Sequence, residues 1–153
     1  MKDKIRTFIA LELPDNVIRQ IQSLQKWLDI DGKKTKPEHL HLTLKFLGEI
    51  TPEKLEEVKK RLKKVSIKQL KAKLGKTGHF NKKIIWIGVF GANPLQRAID
   101  DALEGLFKRE KRFMGHITIG RAKEIRKIPY NKKQIPFKIK AFYLRKSTLT
   151  PEG

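Results

Sequence analysis

His41-Leu42-Thr43-Leu44 lies within HLHLTLKFL (residues 39–47), and its form returns at His116-Ile117-Thr118-Ile119 within GHITIG (residues 115–120). Both stretches run histidine, apolar, threonine, apolar, and both alternate as β-strands do. Residues i and i+2 of a strand share a face. His41 and Thr43 therefore point one way, as do His116 and Thr118. Leu42, Leu44, Ile117 and Ile119 take the opposite face, where a core can bury them. One such motif is commonplace, because threonine favours strands anyway. Two, in matched surroundings, ask for a shared explanation.

The surroundings do match. IRTFIAL (residues 5–11) reads as a strand, and PDNVIRQIQSLQKWLD (residues 14–29) as a helix with Val17, Ile21, Leu24 and Leu28 on one stripe. A loop at 29–37 leads to the first motif strand, which ends at Gly48. Thr51-Pro52 then opens a second helix, buried through Leu55, Val58, Leu62 and Val65. Residues 66–74 suit a basic edge strand, 75–83 a turn-rich connection that includes His79, and IIWIGVF (residues 84–90) a buried strand. Asn93-Pro94 repeats the cap-plus-proline signal ahead of Leu95, Ile99, Leu103 and Leu106. A charged loop, 108–112, precedes the second motif strand. Residues 121–134 are polar and unpatterned, and PFKIKAFYL (residues 136–144) reads as a last strand. The order strand, helix, motif strand thus occurs twice. It predicts an α+β fold of two pseudo-symmetric lobes, each an antiparallel sheet with outer helices, and a cleft between them carrying both motifs. With no Gly-, Ser- or Pro-rich linker, residues 1–153 are expected to form a single bilobal domain.

Composition narrows the function. The 153 residues carry a formal net charge of +20 and 39% hydrophobic residues, so a packed core is feasible and a polyanion such as nucleic acid is the natural partner. There is no cysteine, which removes disulfides, thiolate metal sites and cysteine nucleophiles. No apolar run approaches a membrane span, and the N-terminal stretch lacks the architecture of a signal peptide, so the expectation is a cytoplasmic protein without a membrane partner.

Two histidines flanking one phosphate can take a proton from the attacking oxygen and give one to the leaving oxygen. Each threonine hydroxyl can hydrogen-bond a non-bridging oxygen as charge develops. The scheme uses neither metal nor cofactor. A zinc site would need a third ligand, for which His39 is the nearest candidate.

The sequence resembles the 2H phosphoesterase superfamily, and within it the RNA 2′,3′-cyclic phosphodiesterases, also called 2′-5′ RNA ligases. The pieces that carry the resemblance are Arg6-Thr7-Phe8-Ile9-Ala10, the run from His41 to Glu49, Ile85 to Val89, Gly115 to Arg121, and Ser147 to Gly153. The resemblance implies a bilobal fold and opening of a 2′,3′-cyclic phosphate at an RNA 3′ end to a 2′-phosphate, with reversible 2′-5′ joining to a 5′-hydroxyl. It implies His41 and His116 as the acid–base pair, the first usually taken as acid and the second as base. Thr43 and Thr118 would bind phosphate, Arg121 would clamp it, and Phe46 and Phe8 would flank the terminal base. By strict alternation Arg121 and Phe46 point away from the histidines, so Arg121 requires the strand to twist or end near Gly120. The partners implied are RNAs with cyclic ends, tRNA halves among them, and the protein is expected to be a monomer. The family continues into another strand past the position of Gly153 and often carries a longer segment after Arg121. Competing readings are a phosphodiesterase on 2′-5′ oligoadenylate or cyclic mononucleotides, and a non-catalytic RNA- or nucleotide-binding module.

Overall fold

The computed structural model describes residues 3–68 and 70–147. β1 (Ile5–Leu11) leads into helix α1 (Asp15–Gln25), whose Val17, Ile21 and Leu24 are buried as their spacing predicts. The region read as a loop contains β2 (Asp29–Lys34), followed by a single 3-10 turn at Pro37–His39. The first motif strand, β3 (Leu42–Ile50), therefore starts later than its alternation suggests and continues past Gly48, which takes a positive φ of 72°. Helix α2 (Pro52–Leu62) starts at Thr51, whose hydroxyl accepts the Lys54 backbone N–H at 3.2 Å. β4 (Lys71–Phe80) and β5 (Ile84–Phe90) form a hairpin. Its turn places Asn81 and Lys82 at φ of 53° and 56°. His79 closes this turn by accepting the Lys82 N–H at its Nδ1. The supposed turn-rich connection is thus mostly strand.

Helix α3 (Asn93–Ala102) begins at Ala92, so Asn93 lies inside the helix and is not its cap. β6 (His116–Lys127) carries the second motif and runs on through residues read as unpatterned. The last predicted strand divides into β7 (Pro136–Lys138) and β8 (Phe142–Lys146). Of the Ser147–Gly153 piece, residues 148–153 lie outside the described residues.

All eight strands join one antiparallel sheet in the order β7-β4-β5-β6-β3-β1-β8, with β2 on β6. The two-lobed α+β expectation holds, and the lobes exchange strands. β2 comes from the first half of the chain and pairs in the second lobe, while β8 comes from the end and pairs with β1. One face of the sheet supplies Ile9, Leu11, Leu42, Leu44, Ile85, Ile87, Ile117 and Ile119 to a contiguous core with the helices. Burying each such side chain contributes about 1.5–3 kcal/mol. The opposite face is left free, as antiparallel sheets allow.

A buried ion pair crosses that core. Lys45, 3% exposed, donates to Asp100 Oδ1 at 2.6 Å and to the Lys108 carbonyl at 2.7 Å. Asp100 Oδ2 accepts from Gln96 Nε2 and from the Glu110 backbone. Burial alone would raise the Asp100 carboxyl, but Lys45, the Glu110 N–H and Gln96 together hold it below its ordinary value. The network fastens β3 to α3 and to the segment that delivers the second motif. Removing one partner strands the other charge, so Asp100→Ala is expected to cost about 3–5 kcal/mol. The double variant Lys45→Met/Asp100→Leu should cost less than Asp100→Ala alone, as read by urea denaturation.

Candidate active site

Between β3 and β6 the register has a single Cα pair, Leu42 with Ile117. In an antiparallel pair the neighbours of paired residues also oppose each other. His41 therefore lies toward Thr118 and Thr43 toward His116, all four on the face away from the core. The histidines are diagonal neighbours, a relation that sets residues roughly 7–8 Å apart in an ideal ladder. That spacing leaves room for one phosphate between two rings. Leu42 and Ile117 are fully buried beneath.

Each histidine is held by a phenylalanine. The Phe8 ring stacks on His41 with centroids 5.0 Å apart, and Phe80 meets His116 edge-on at 5.2 Å. His116 Nδ1 lies 2.9 Å from the Met114 carbonyl. A carbonyl can only accept, so Nδ1 carries the hydrogen and Nε2 is left for chemistry. His41 Nδ1 is buried with no hydrogen-bond partner among the described residues. Burial first, then the charges of Arg145 and His39, lowers the His41 imidazole to about 4. His39 sits in the exposed 3-10 turn and reaches His41 only through its field.

Arg121 and Phe46 join this face because both motif strands are bulged. On β6, Thr118 pairs with Trp86 and Gly120 with Ile85, so Ile119 is an extra residue. A Cβ at Gly120 would meet Leu28 Cδ2 at 3.1 Å and Ile30 Cδ1 at 3.3 Å, placing that position on the core side with Ile119. Alternation resumes one residue late, and Arg121 emerges exposed on the face of Thr118. On β3, Thr43 pairs with Ala10 and Lys45 with Ile9, so Leu44 is the extra residue. Leu44 and Lys45 both turn inward, and Phe46 comes out 66% exposed, its ring 6.1 Å from Phe8. Strict parity would have buried both residues. The structure overturns that parity expectation.

Sequence reasoning missed four neighbours. Tyr143 and Arg145 on β8 pair with Ala10 and Phe8, which puts them on the histidine face, and the Arg145 guanidinium stands 5.7 Å from the Tyr143 ring centroid. The predicted strand stopped at residue 144, one short of Arg145. Trp86 pairs with Thr118, and Phe80 packs on Trp86 at 5.5 Å. IIWIGVF was read as wholly buried, yet its burial alternates: Ile85, Ile87 and Val89 face the core while Ile84, Trp86 and Gly88 do not.

Residues 11–86 match the family described as LigT like phosphoesterase. The RNA 2′,3′-cyclic phosphodiesterase of Methanocaldococcus jannaschii is 36% identical over 97% of this chain and 95% of its own. The chain belongs to the LigT-like phosphoesterases. A protein of the same name from Archaeoglobus fulgidus is 33% identical over 97% of this chain and 94% of its own. Among solved structures, the LigT-like chain resembles TT0787 of Thermus thermophilus, with a TM-score of 0.86 and 26% identity, covering 97% of this chain and 92% of that one. It also resembles LigT of E. coli complexed with 3′-AMP, with a TM-score of 0.83, 25% identity, and 98% and 92% covered.

The lowered His41 pKa has a consequence for stability. In the unfolded chain His41 titrates near 6.5. Between that pH and about 4 the unfolded state binds the proton while the folded state does not. Stability should therefore fall on acidification through this window and be untouched above it. NMR titration should place His41 near 4 in the free protein, and Arg145→Gln should move it upward. An unchanged value would show that Arg145 does not act on the ring.

Proposed function

We propose that this LigT-like phosphoesterase is an RNA 2′,3′-cyclic phosphodiesterase, opening a terminal cyclic phosphate to a 2′-phosphate. The observation that carries the reading is the Leu42–Ile117 register, which sets two imidazoles and two threonine hydroxyls on one face about a single point. The names of the archaeal relatives support it, as does the 3′-AMP bound to E. coli LigT, a ribonucleotide with its phosphate on the 3′ oxygen.

In this reading a water oxygen attacks phosphorus and loses its proton to a neutral imidazole. The bond to the ribose 3′ oxygen breaks, and that oxygen receives a proton from the second imidazole, acting as imidazolium. Thr43 and Thr118 donate to the non-bridging oxygens, and Arg121 adds charge beside them. The exposed Phe46 ring offers an aromatic surface for the terminal base, and the buried Phe8 backs it and the His41 ring. In the free protein His41 is neutral at pH 7. An anionic phosphodiester beside His41 opposes the field of Arg145 and raises that imidazole, so substrate brings its protonated form within reach. A 5′-hydroxyl in place of water goes through the same steps in the same direction: its oxygen bonds to phosphorus, the 3′ oxygen leaves with a proton, and a 2′-5′ phosphodiester results. Both motifs come from one chain, so a monomer suffices. Any RNA fragment with a cyclic end, a tRNA half included, presents the reacting group.

His41→Ala and His116→Ala should each lower turnover of a cyclic-ended oligonucleotide by about 10²–10⁴-fold and flatten one limb of a bell-shaped pH profile. Near-wild-type turnover in either variant would refute the pairing. Among the described residues no group of three or more His, Asp or Glu is arranged to hold a metal ion. Hydrolysis should accordingly survive EDTA, and loss restored by zinc or manganese would overturn the metal-free scheme.

A further inference from the structure

Beyond the bulge, β6 is paired on its other edge by β2, and Lys33 stands directly opposite Arg121. Paired residues in an antiparallel ladder share a face, so the Lys33 side chain lies with Arg121 on the histidine side. Lys34, paired with Gly120, belongs to the other face. Like charges placed directly opposite each other destabilise a sheet. Among the described residues neither Lys33 nor Arg121 takes part in an ion pair that would relieve the repulsion. The nearest carboxylates on the ribbon, Asp31 and Glu124, are paired with each other two pairings further out, beyond Gly32 and Ala122.

The chain also maintains this unfavourable pair by close construction. A Cβ at Gly32 would lie 2.0 Å from the Arg121 carbonyl oxygen, so glycine there permits β2 to approach. Gln25, 7% exposed, donates through Nε2 to the carbonyls of Thr35 at 2.8 Å and of the bulged Ile119 at 2.9 Å. Those bonds fasten the end of β2 and the bulge of β6 to the same helix. The result is two unneutralised cations side by side at the edge of the candidate active site.

Their distance from the motifs says which anion they suit. Across β5, Thr118 and Arg121 pair with Trp86 and Ile84, two residues apart, so Arg121 stands roughly 7 Å along the sheet from Thr118 at ~3.3 Å per residue, and Lys33 is one strand further, about 4.8 Å across. β2 takes up the β6 edge that β3 leaves, so Arg121 and Lys33 stand side by side just beyond the reacting phosphate. With the terminal base on Phe46 in the other lobe, the remaining anionic group of a cyclic-ended RNA is the phosphodiester on the 5′ side of its last nucleotide.

We propose that Lys33 is a specificity-determining residue that binds this 5′ phosphodiester beside Arg121, so that the preferred substrate is an oligoribonucleotide and not a cyclic mononucleotide. The inference rests on the phosphodiesterase reading above. The test compares kcat/KM for a nucleoside 2′,3′-cyclic phosphate with a 5′-hydroxyl and for a dinucleotide with the same cyclic end, in wild type, Lys33→Ala and Lys33→Arg. Lys33→Ala should lose about 10–150-fold more on the dinucleotide than on the mononucleotide, the weight of one charge-assisted contact. Its log–log salt slope on the dinucleotide should shrink by about 0.7, the single-strand value for one phosphate contact. Lys33→Arg should restore most of the difference. The melting temperature of Lys33→Ala should hold or rise, because a like-charge neighbour is removed. Equal losses on the two substrates, or no loss on either, would overturn the proposal. If wild type hydrolyses neither substrate, the phosphodiesterase reading itself has failed, and that outcome is distinct.

Discussion

One residue pair, Leu42 with Ile117, joins the two lobes through their motif strands. It holds because both side chains are fully buried in a core that all three helices share. Everything chemical depends on it, since the four motif side chains are the neighbours of these two. A single pair lets the strands diverge at once, so the rings stand at an opening. Substituting this pair would act on the geometry of the site without touching any group that meets substrate.

The two bulges give the pseudo-symmetry its use. Each motif is followed by one extra residue, Leu44 or Ile119, and each bulge turns the fifth position after the histidine outward. The fifth positions are Phe46 in one lobe and Arg121 in the other. One backbone device thus delivers an aromatic surface on one side and a cation on the other. Both bulges are pinned by a buried polar side chain. Gln25 satisfies the carbonyl of Ile119, and Lys45 reaches Asp100 and the Lys108 carbonyl. These groups are costly to bury, and their bonds are what offset the cost.

The motif faces were legible in the sequence because alternation around His41 and His116 is strict over four residues. The helices were legible through their apolar stripes. What alternation could not show is where it breaks. Phe46 and Arg121 have the wrong parity, and only Gly120, a residue suited to irregular strand, hinted at the second bulge. The first left no trace, since by alternation Lys45 falls on the open face with His41 and Thr43. β2 was read as loop because DIDGKK has almost no apolar content; its pairing comes from β6 and from Gly32, not from its own preference. The split of residues 136–146 between opposite sheet edges is a matter of topology, which local pattern does not carry.

Charge gives the site a further property. A formal net charge of +20 raises the cost of every additional proton, and at His41 burial adds to the charges of Arg145 and His39 to hold the ring neutral. A neutral His41 can accept a proton but has none to give. An arriving phosphodiester changes that, since it is the opposite charge nearest to both rings. Binding and protonation are then linked: the anion that the lysines and arginines attract is the same group that stabilises an imidazolium between them. The basic surface, on this argument, does more than gather RNA. In the proposed reaction it would hold His41 neutral until a phosphate arrives beside the threonines and Arg121.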